Sequence, residues 1–249
     1  MPKFSANLGF LWTELSLPDA IRAAKAARFD AVELHWPYET PAADVKAALD
    51  ETGLRCLGLN TIRGETNGLS AIPGQEAEAR AAIDQAIDYG AAIGASAVHV
   101  MAGFASGDAA RATFETNLAY ACEKAAPHGI TILIEPLNTY DAPPYFLTHT
   151  DQAEEIIASV GAANLKLMFD CYHVQIMGGD LTRRLARLLP ITGHIQFADV
   201  PGRGAPGTGE LNYDYVFQQI DTLGWEAPLG AEYKPGDSTE RSLGWMKGA

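Results

Sequence analysis

Cysteine is scarce and unclustered. Cys56, Cys122 and Cys171 lie far apart and form no CxxC pair, which argues against a disulfide framework or a thiolate zinc site. Cys56 and Cys122 sit in apolar runs and read as core residues. No apolar run approaches the length of a membrane span. The N-terminal stretch lacks the basic segment and apolar core of a signal peptide, so a reducing cytoplasm is the expected location. Cations are also in short supply, with 18 Lys and Arg against 31 Asp and Glu, a formal net charge of -13. That balance argues against nucleic acid or an anionic membrane as the main partner. It leaves room for a small anionic substrate, because a few local cations can hold one. No Pro-, Ser- or charge-rich linker divides the chain, and there is no internal repeat or low-complexity tract. The Gly-rich stretch 202–209 lacks the Gly-Lys-Ser/Thr ending of a phosphate-binding P-loop.

What the chain does contain is an alternation of short apolar runs with longer amphipathic ones. Strands are expected at Lys3–Asn7, Ala31–Leu34, Arg55–Asn60, Ala97–Met101, Thr131–Glu135, Leu165–Asp170, Gly193–Ala198 and Pro228–Glu232. Helical patterns lie between them. Ser16-Leu-Pro-Asp19 resembles a capping box, and Ala153, Ile156, Ile157 and Val160 recur at helical spacing after an expected Thr150 cap. Eight such βα units over 249 residues give about 31 residues each, the scale of a (β/α)8 TIM barrel. The expected architecture is therefore α/β, with residues 1–249 forming one barrel domain. Three segments, 61–75, 136–149 and 199–212, read as long loops on one face.

Four of the apolar runs end on an oxygen-bearing side chain: Glu135, Asp170, Gln196 and Glu232. One such residue alone is ordinarily satisfied by neighbours or water. Four on four strands of one polarity point to a convergent site, on the side where parallel α/β proteins bind ligands. Three carboxylates and an amide oxygen suit a hard cation, Mg²⁺ or Mn²⁺. Glu135 and Glu232 facing one another across a small pocket could also move protons, one taking a proton from carbon and the other returning one.

Histidines come next. His99 lies near the end of its strand, and His173 starts a loop beside Asp170, which makes His173 the better functional candidate. His194 is two residues from Gln196, hence deeper on the same face, and reads as a structural or supporting group. Arg203 and Lys234 are loop cations; either could hold a substrate carboxylate, and either could equally be a solvated charge. Glu33 and Glu210 are weaker candidates. Trp12, Trp36 and Tyr145 are aromatic groups that could line a pocket.

The segments Asn60–Gly74, His99-Val-Met-Ala-Gly103, Ile134-Glu-Pro-Leu-Asn138, Phe169-Asp-Cys-Tyr-His-Val-Gln175, Gly193-His-Ile-Gln196 and Glu232-Tyr-Lys-Pro235 together resemble the hydroxypyruvate isomerase family of xylose isomerase-like barrels. The resemblance runs from Phe4 to Trp245. It implies an isomerase of small 2-keto acids, converting hydroxypyruvate to 2-hydroxy-3-oxopropanoate; the alternatives are a 2-oxo-tetronate isomerase or a ketose 3-epimerase, which would use the same two glutamates and metal. It matches Glu135 and Glu232 to the paired acid/base glutamates, and Glu135, Asp170, Gln196 and Glu232 to the metal ligands. Related sugar epimerases usually carry histidine where Gln196 stands. The resemblance also suggests a homo-oligomer. One departure concerns loop 199–212, where the family commonly has Arg-His-Glu-Pro and this chain has Arg203-Gly-Ala-Pro206.

Overall fold

The computed structural model describes residues 2–247, with the side chain of residue 247 outside the description. The described residues form nine strands: β1 Phe4–Asn7, β2 Ala31–Glu33, β3 Arg55–Cys56, β4 Leu59–Asn60, β5 Ala97–His99, β6 Thr131–Ile134, β7 Leu165–Asp170, β8 Thr192–Phe197 and β9 Leu229–Ala231. The principal helices are α1 Leu17–Ala26, α2 Ala42–Thr52, α3 Glu76–Ile93, α4 Gly107–Ala125, α5 Thr150–Val160, α6 Cys171–Met177, α7 Leu181–Leu188, α8 Tyr213–Thr222 and α9 Thr239–Ser242. The sheet order is β3-β2-β1-β9-β8-β7-β6-β5-β4. Every pairing in it is parallel. The result is a curled parallel sheet jacketed by helices, a TIM-barrel-like fold.

The expected strand Arg55–Asn60 is split into β3 and β4. The two pieces bond to opposite neighbours, β3 to β2 and β4 to β5. Hydrogen bonds overlap along the break. Leu57 N donates to Val32 O (2.8 Å), Leu34 N to Gly58 O (2.9 Å) and Asn60 N to His35 O (2.9 Å) on one side, while Ser96 N reaches Cys56 O (3.0 Å) on the other. The other strands fall where the alternation of runs put them, with β5 ending at His99 instead of Met101.

Helix ends follow local chemistry. The Ser16 hydroxyl accepts from Asp19 N at the start of α1, as a capping serine should. At α5 the expected Thr150 cap is corrected: His149 occupies the cap position, and Thr150 is the first helical residue. The buried Thr150 hydroxyl accepts from Arg184 Nη1 at 3.2 Å instead. All three cysteines are free and buried. Among the described residues no helix is long and apolar enough to cross a membrane.

The main core lies between the strands and the helices. Phe197, fully buried, is surrounded by Phe4, Phe217, Trp245 and Tyr213 with ring centroids 5.0–5.8 Å apart. This ties β8 to β1, α8 and the C-terminal segment. A separate small apolar group, Ala97, Leu133 and Met168, comes from the opposite faces of β5, β6 and β7. Buried polar groups are concentrated at the carboxyl end of the strands. Phe197→Ala should cost about 3–5 kcal/mol of stability, read as a lower urea midpoint; a loss below about 1 kcal/mol would contradict this role for the cluster.

Candidate active site

A cavity of about 290 Å³ opens at the carboxyl ends of the strands, lined by His35, Asn60, Arg63, His99, Glu135, His173, Arg203 and Glu232 among others. A larger groove of about 700 Å³ lies on the outer surface, among residues of α5 and α7 such as Asp151, Glu154, Arg184 and Arg187. It carries none of the strand-end groups. Its charges are largely spent on one another, as in Arg187 with Asp151 and Glu154. The smaller cavity is therefore the candidate site.

Glu135 and Glu232 each stand one residue past a strand, Asp170 ends β7, and Gln196 is the last residue but one of β8. All four are buried. In register, Asp170 pairs with Gln196, and Gln196 with Gly230, so the four groups line adjacent strands. The structure thus brings together what the strand-end pattern predicted. Several buried atoms here have no hydrogen-bond partner: Glu135 Oε1, Asp170 Oδ2, Gln196 Oε1 and His173 Nε2. Unsatisfied buried acceptors are costly, and a bound cation is one way to satisfy them. Glu135, Asp170 and His173 place ligand atoms within 4.8 Å of one another, a spacing that could hold a metal ion.

The hydrogen bonds of His173 bear on its part in such a group. Its Nδ1 accepts from the backbone N–H of Asn138 at 2.9 Å, and the Asn138 side-chain amide lies 2.8 Å from the same nitrogen. Burial pushes its pKa down to about 3, so the ring is neutral at ordinary pH and its one proton sits on Nε2. That N–H faces Asp170 Oδ2 at 3.6 Å and Glu135 Oε1 at 3.9 Å. His173 is therefore a donor into the cavity and not a free lone pair. His99 Nδ1 lies 3.6 Å from Glu135 Oε2. Burial also pushes the His99 pKa down to about 3.

The two glutamates have different surroundings. Burial, with Glu232 and Asp170 nearby, holds the Glu135 pKa well above its ordinary value. Burial acts the same way on Glu232, but the Arg203 guanidinium and His35 more than offset it and bring its pKa to about 2. His35 Nε2 is 2.8 Å from Glu232 Oε1, and Asn7 Nδ2 donates to the same oxygen at 3.0 Å. Arg203 pairs with the other carboxylate oxygen of Glu232 and lies 3.5 Å from Asp170 Oδ2. Its guanidinium is packed between the Phe10 and Tyr172 rings, at 4.7 and 5.0 Å. Burial drives the Asp170 pKa up to about 7, against the pull of Arg203.

Loop 199–212 delivers Arg203 through one buried carboxylate. Asp199 accepts four backbone N–H bonds, from Val200, Gly207, Gly209 and Leu211, at 2.8–3.0 Å. Gly204 exchanges two backbone bonds with Asp199, and Ala205 is buried. Neither lines the cavity, so the Gly204-Ala205 departure leaves the placement of Arg203 intact. Lys234, the other expected anion-binding cation, goes elsewhere: its side chain is exposed and outside the cavity, and its backbone N–H donates to Arg203 O at 2.7 Å. Trp36 lines the cavity. Trp12 does not; it packs on Phe29 and donates to Glu240. Tyr145 is also outside the cavity, its hydroxyl accepting from Ala102 N. Glu210 is exposed and outside the cavity.

Three polar residues to which the sequence assigned no role stand beside these groups. Asn7 and His35 hold Glu232, and Arg63 lines the cavity mouth. Asn7 carries the same strand-end signal as the four acceptors, because β1 is also an apolar run ending on a carboxamide. Arg63 stacks over Trp36 at 5.7 Å and bonds Asn67 through Nε at 2.7 Å.

A curled parallel sheet with buried acidic groups at its carboxyl ends defines a TIM-barrel-like protein with a polar site at the end where such folds bind ligands. Residues 21–249 match the model of the xylose isomerase-like TIM barrel family. The chain is 46% identical to a 2-oxo-tetronate isomerase of Cupriavidus necator, covering 99% of this chain and 98% of that one. It is 38% identical to hydroxypyruvate isomerase of Escherichia coli, covering 99% and 98%. A crystal structure from Brucella melitensis described as an AP endonuclease, family 2, superposes with a TM-score of 0.95 at 38% identity, over 100% of this chain and 99% of that one. The chain belongs to the hydroxypyruvate isomerase family of xylose isomerase-like TIM barrels, and it is an isomerase.

Both histidines have folded pKa values of about 3, below the free value of 6.5. The unfolded chain therefore takes up these protons first. Each histidine contributes stability that is complete above pH 6.5 and lost as pH falls toward 3. In metal-free protein, ¹⁵N–¹H correlation spectra should show His99 and His173 still neutral at pH 5, with His173 as the Nε2–H tautomer. Titration of either ring near 6.5 would contradict the assignment.

Proposed function

We propose that the protein shifts the carbonyl of a small 2-keto acid to the neighbouring hydroxyl-bearing carbon, by proton transfer between Glu135 and Glu232. The observation that carries this reading is the pair of buried glutamates, differently surrounded, at one end of a small cavity among orphaned oxygens. At about 290 Å³ the cavity lies at the lower end of small-molecule sites, roughly 300–1,000 Å³. That suits a short acid better than a long ketose or a nucleic-acid strand. The 46% identical relative is named for 2-oxo-tetronate, which makes that acid the favoured substrate and hydroxypyruvate the second.

One glutamate removes the proton from the hydroxyl-bearing carbon to give an enediolate. The other returns a proton to the former carbonyl carbon, and the hydroxyl proton passes to the former carbonyl oxygen. One carbon is oxidised and its neighbour reduced, so no outside redox partner is needed. His173 Nε2–H and His99 stand beside the glutamates to hydrogen-bond the substrate oxygens. A divalent cation, Mg²⁺ or Mn²⁺, would be held by Glu135, Asp170, Gln196 and Glu232; when bound it would polarise the substrate oxygens and lower the cost of the enediolate. The orphaned oxygens of Glu135, Asp170 and Gln196 fit such an ion. His173 is assigned a donor role because its lone pair on Nδ1 is already used.

Arg203 is committed to Glu232 and Asp170. Arg63, exposed at the mouth, is the cation we assign to the substrate carboxylate, in place of Lys234. Counting β3 and β4 as one broken strand, we read the sheet as an eight-unit barrel and the chain as one domain. Three buried free thiols suit a reducing cytoplasm, and an oligomer is in keeping with the family.

Incubation with 2-oxo-tetronate and hydroxypyruvate in D₂O, followed by NMR, should show interconversion with deuterium at the newly protonated carbon. Glu135→Gln and Glu232→Gln should each lower kcat by about 10²–10⁴-fold. Turnover within a few-fold of wild type in both variants would sink the mechanism. Arg63→Ala should raise KM by roughly tenfold to a hundredfold, as expected for a lost charge-assisted bond of about 1.5–3 kcal/mol, with little change in kcat; an unchanged KM would remove Arg63 from substrate binding.

A further inference from the structure

Below the acidic group lies a further buried carboxylate, Glu33, which the mechanism does not use. Glu33 ends β2, and in the sheet order β1 and β9 separate it from β8. Its side chain nevertheless reaches β8. Gln196 Nε2 donates to Glu33 Oε2 at 2.7 Å, and His194 Nε2 lies 3.0 Å from the same oxygen. The crossing needs empty space at β9, and Gly230 provides it. A Cβ there would collide with the Glu33 carboxylate and with Cγ of Gln196.

The consequence is directional. A carboxylate accepts hydrogen bonds and a carboxamide can do either. Facing Glu33, Gln196 must present its NH₂. Its carbonyl oxygen is then turned the opposite way, and that buried oxygen has no hydrogen-bond partner. Gln196 lies between Asp170 and Gly230 in register, beside the other orphaned acceptors. An amide free to rotate would present NH₂ to a cation half of the time and repel it.

We propose that Glu33 is a positioning residue: it locks the Gln196 carboxamide with its oxygen aimed into the acidic group, which makes a neutral side chain a competent cation ligand. This rests on the reading of Gln196 as a ligand. Supporting groups of this kind typically change metal affinity by 10–100-fold.

The test is a double-mutant cycle on Mn²⁺ affinity, read by electron paramagnetic resonance of free Mn²⁺ without substrate. Glu33→Gln is isosteric, and it lets residue 33 donate to Gln196 and release the lock. It should weaken Mn²⁺ binding about tenfold or more. The Gln196→Ala variant should also weaken binding, and adding Glu33→Gln to it should cost little more. An equal loss from Glu33→Gln in both backgrounds would show a simple charge effect and overturn the proposal, as would no loss at all. If Gln196→Ala leaves Mn²⁺ affinity unchanged, or the wild type binds none, the ligand reading itself falls and the proposal with it. A second measurement needs no variant at residue 33. The Gln196 NH₂ signals, assigned by their absence in Gln196→Ala, should be protected from solvent exchange with and without Mg²⁺. Exchange at the rate of an exposed amide would overturn the lock.

Discussion

Buried negative charge at one end of the barrel is the constraint around which this structure is arranged. Glu135, Asp170 and Glu232 are all buried at adjoining strand ends, with Glu33 beneath them. Ionised carboxylates in such surroundings must be paired, hydrogen-bonded or bound to a cation. The protein meets part of the demand itself. Arg203, clamped between two aromatic rings, pairs with Glu232 and approaches Asp170. His35 and Asn7 take the second oxygen of Glu232. What stays unmet is one oxygen each of Glu135, Asp170 and Gln196 at the strand ends, and Glu33 Oε1 beneath them. The same balance sets the two glutamates apart, since Arg203 and His35 serve Glu232 and leave Glu135 to the effect of burial.

Much of the surrounding architecture serves to place these groups. Asp199 spends a whole carboxylate on four backbone N–H groups, so that the loop carrying Arg203 has one shape. Asn138 does similar work for His173, fixing Nδ1 as an acceptor and leaving Nε2–H for the cavity. Loop 61–75 is drawn against the next strand end by the antiparallel bridge of Gly68 to Ala102. Gly68 has φ +102 and a Cβ there would strike the Met101 backbone, so glycine is required for that approach. Backbone bonds to Asp199, and not the side chains of Gly204 and Ala205, hold this loop.

The strand layout and the gathering of four strand-end groups on adjacent strands were legible because both depend on local periodicity. Apolar runs of four to six residues mark parallel strands, and a carboxylate ending such a run marks the ligand-binding end. Glu135, Asp170, Gln196 and Glu232 emerged from that rule alone. Asn7 obeys it too. Glu33 and His35 straddle the end of a strand that the alternation carried to Leu34, so neither stood out as its terminus. Side-chain direction in loops was not legible. Arg203 and Lys234 looked alike in sequence, but the Arg203 side chain turns inward to two carboxylates, while Lys234 contributes only its backbone N–H. Contacts distant in sequence were equally hidden: Trp12 is tied to Glu240, 228 residues away, and so could not be placed from its neighbours.

The proposed chemistry requires that unmet oxygens at the strand ends be cation ligands. The most direct measurement is anomalous diffraction at the manganese edge from crystals of the full chain grown with Mn²⁺. An anomalous peak bounded by Glu135, Asp170, Gln196 and Glu232, with His173 outside the coordination sphere, is the predicted result. Manganese bound by His173 in place of Gln196, or no peak in this cavity at saturating Mn²⁺, would contradict it.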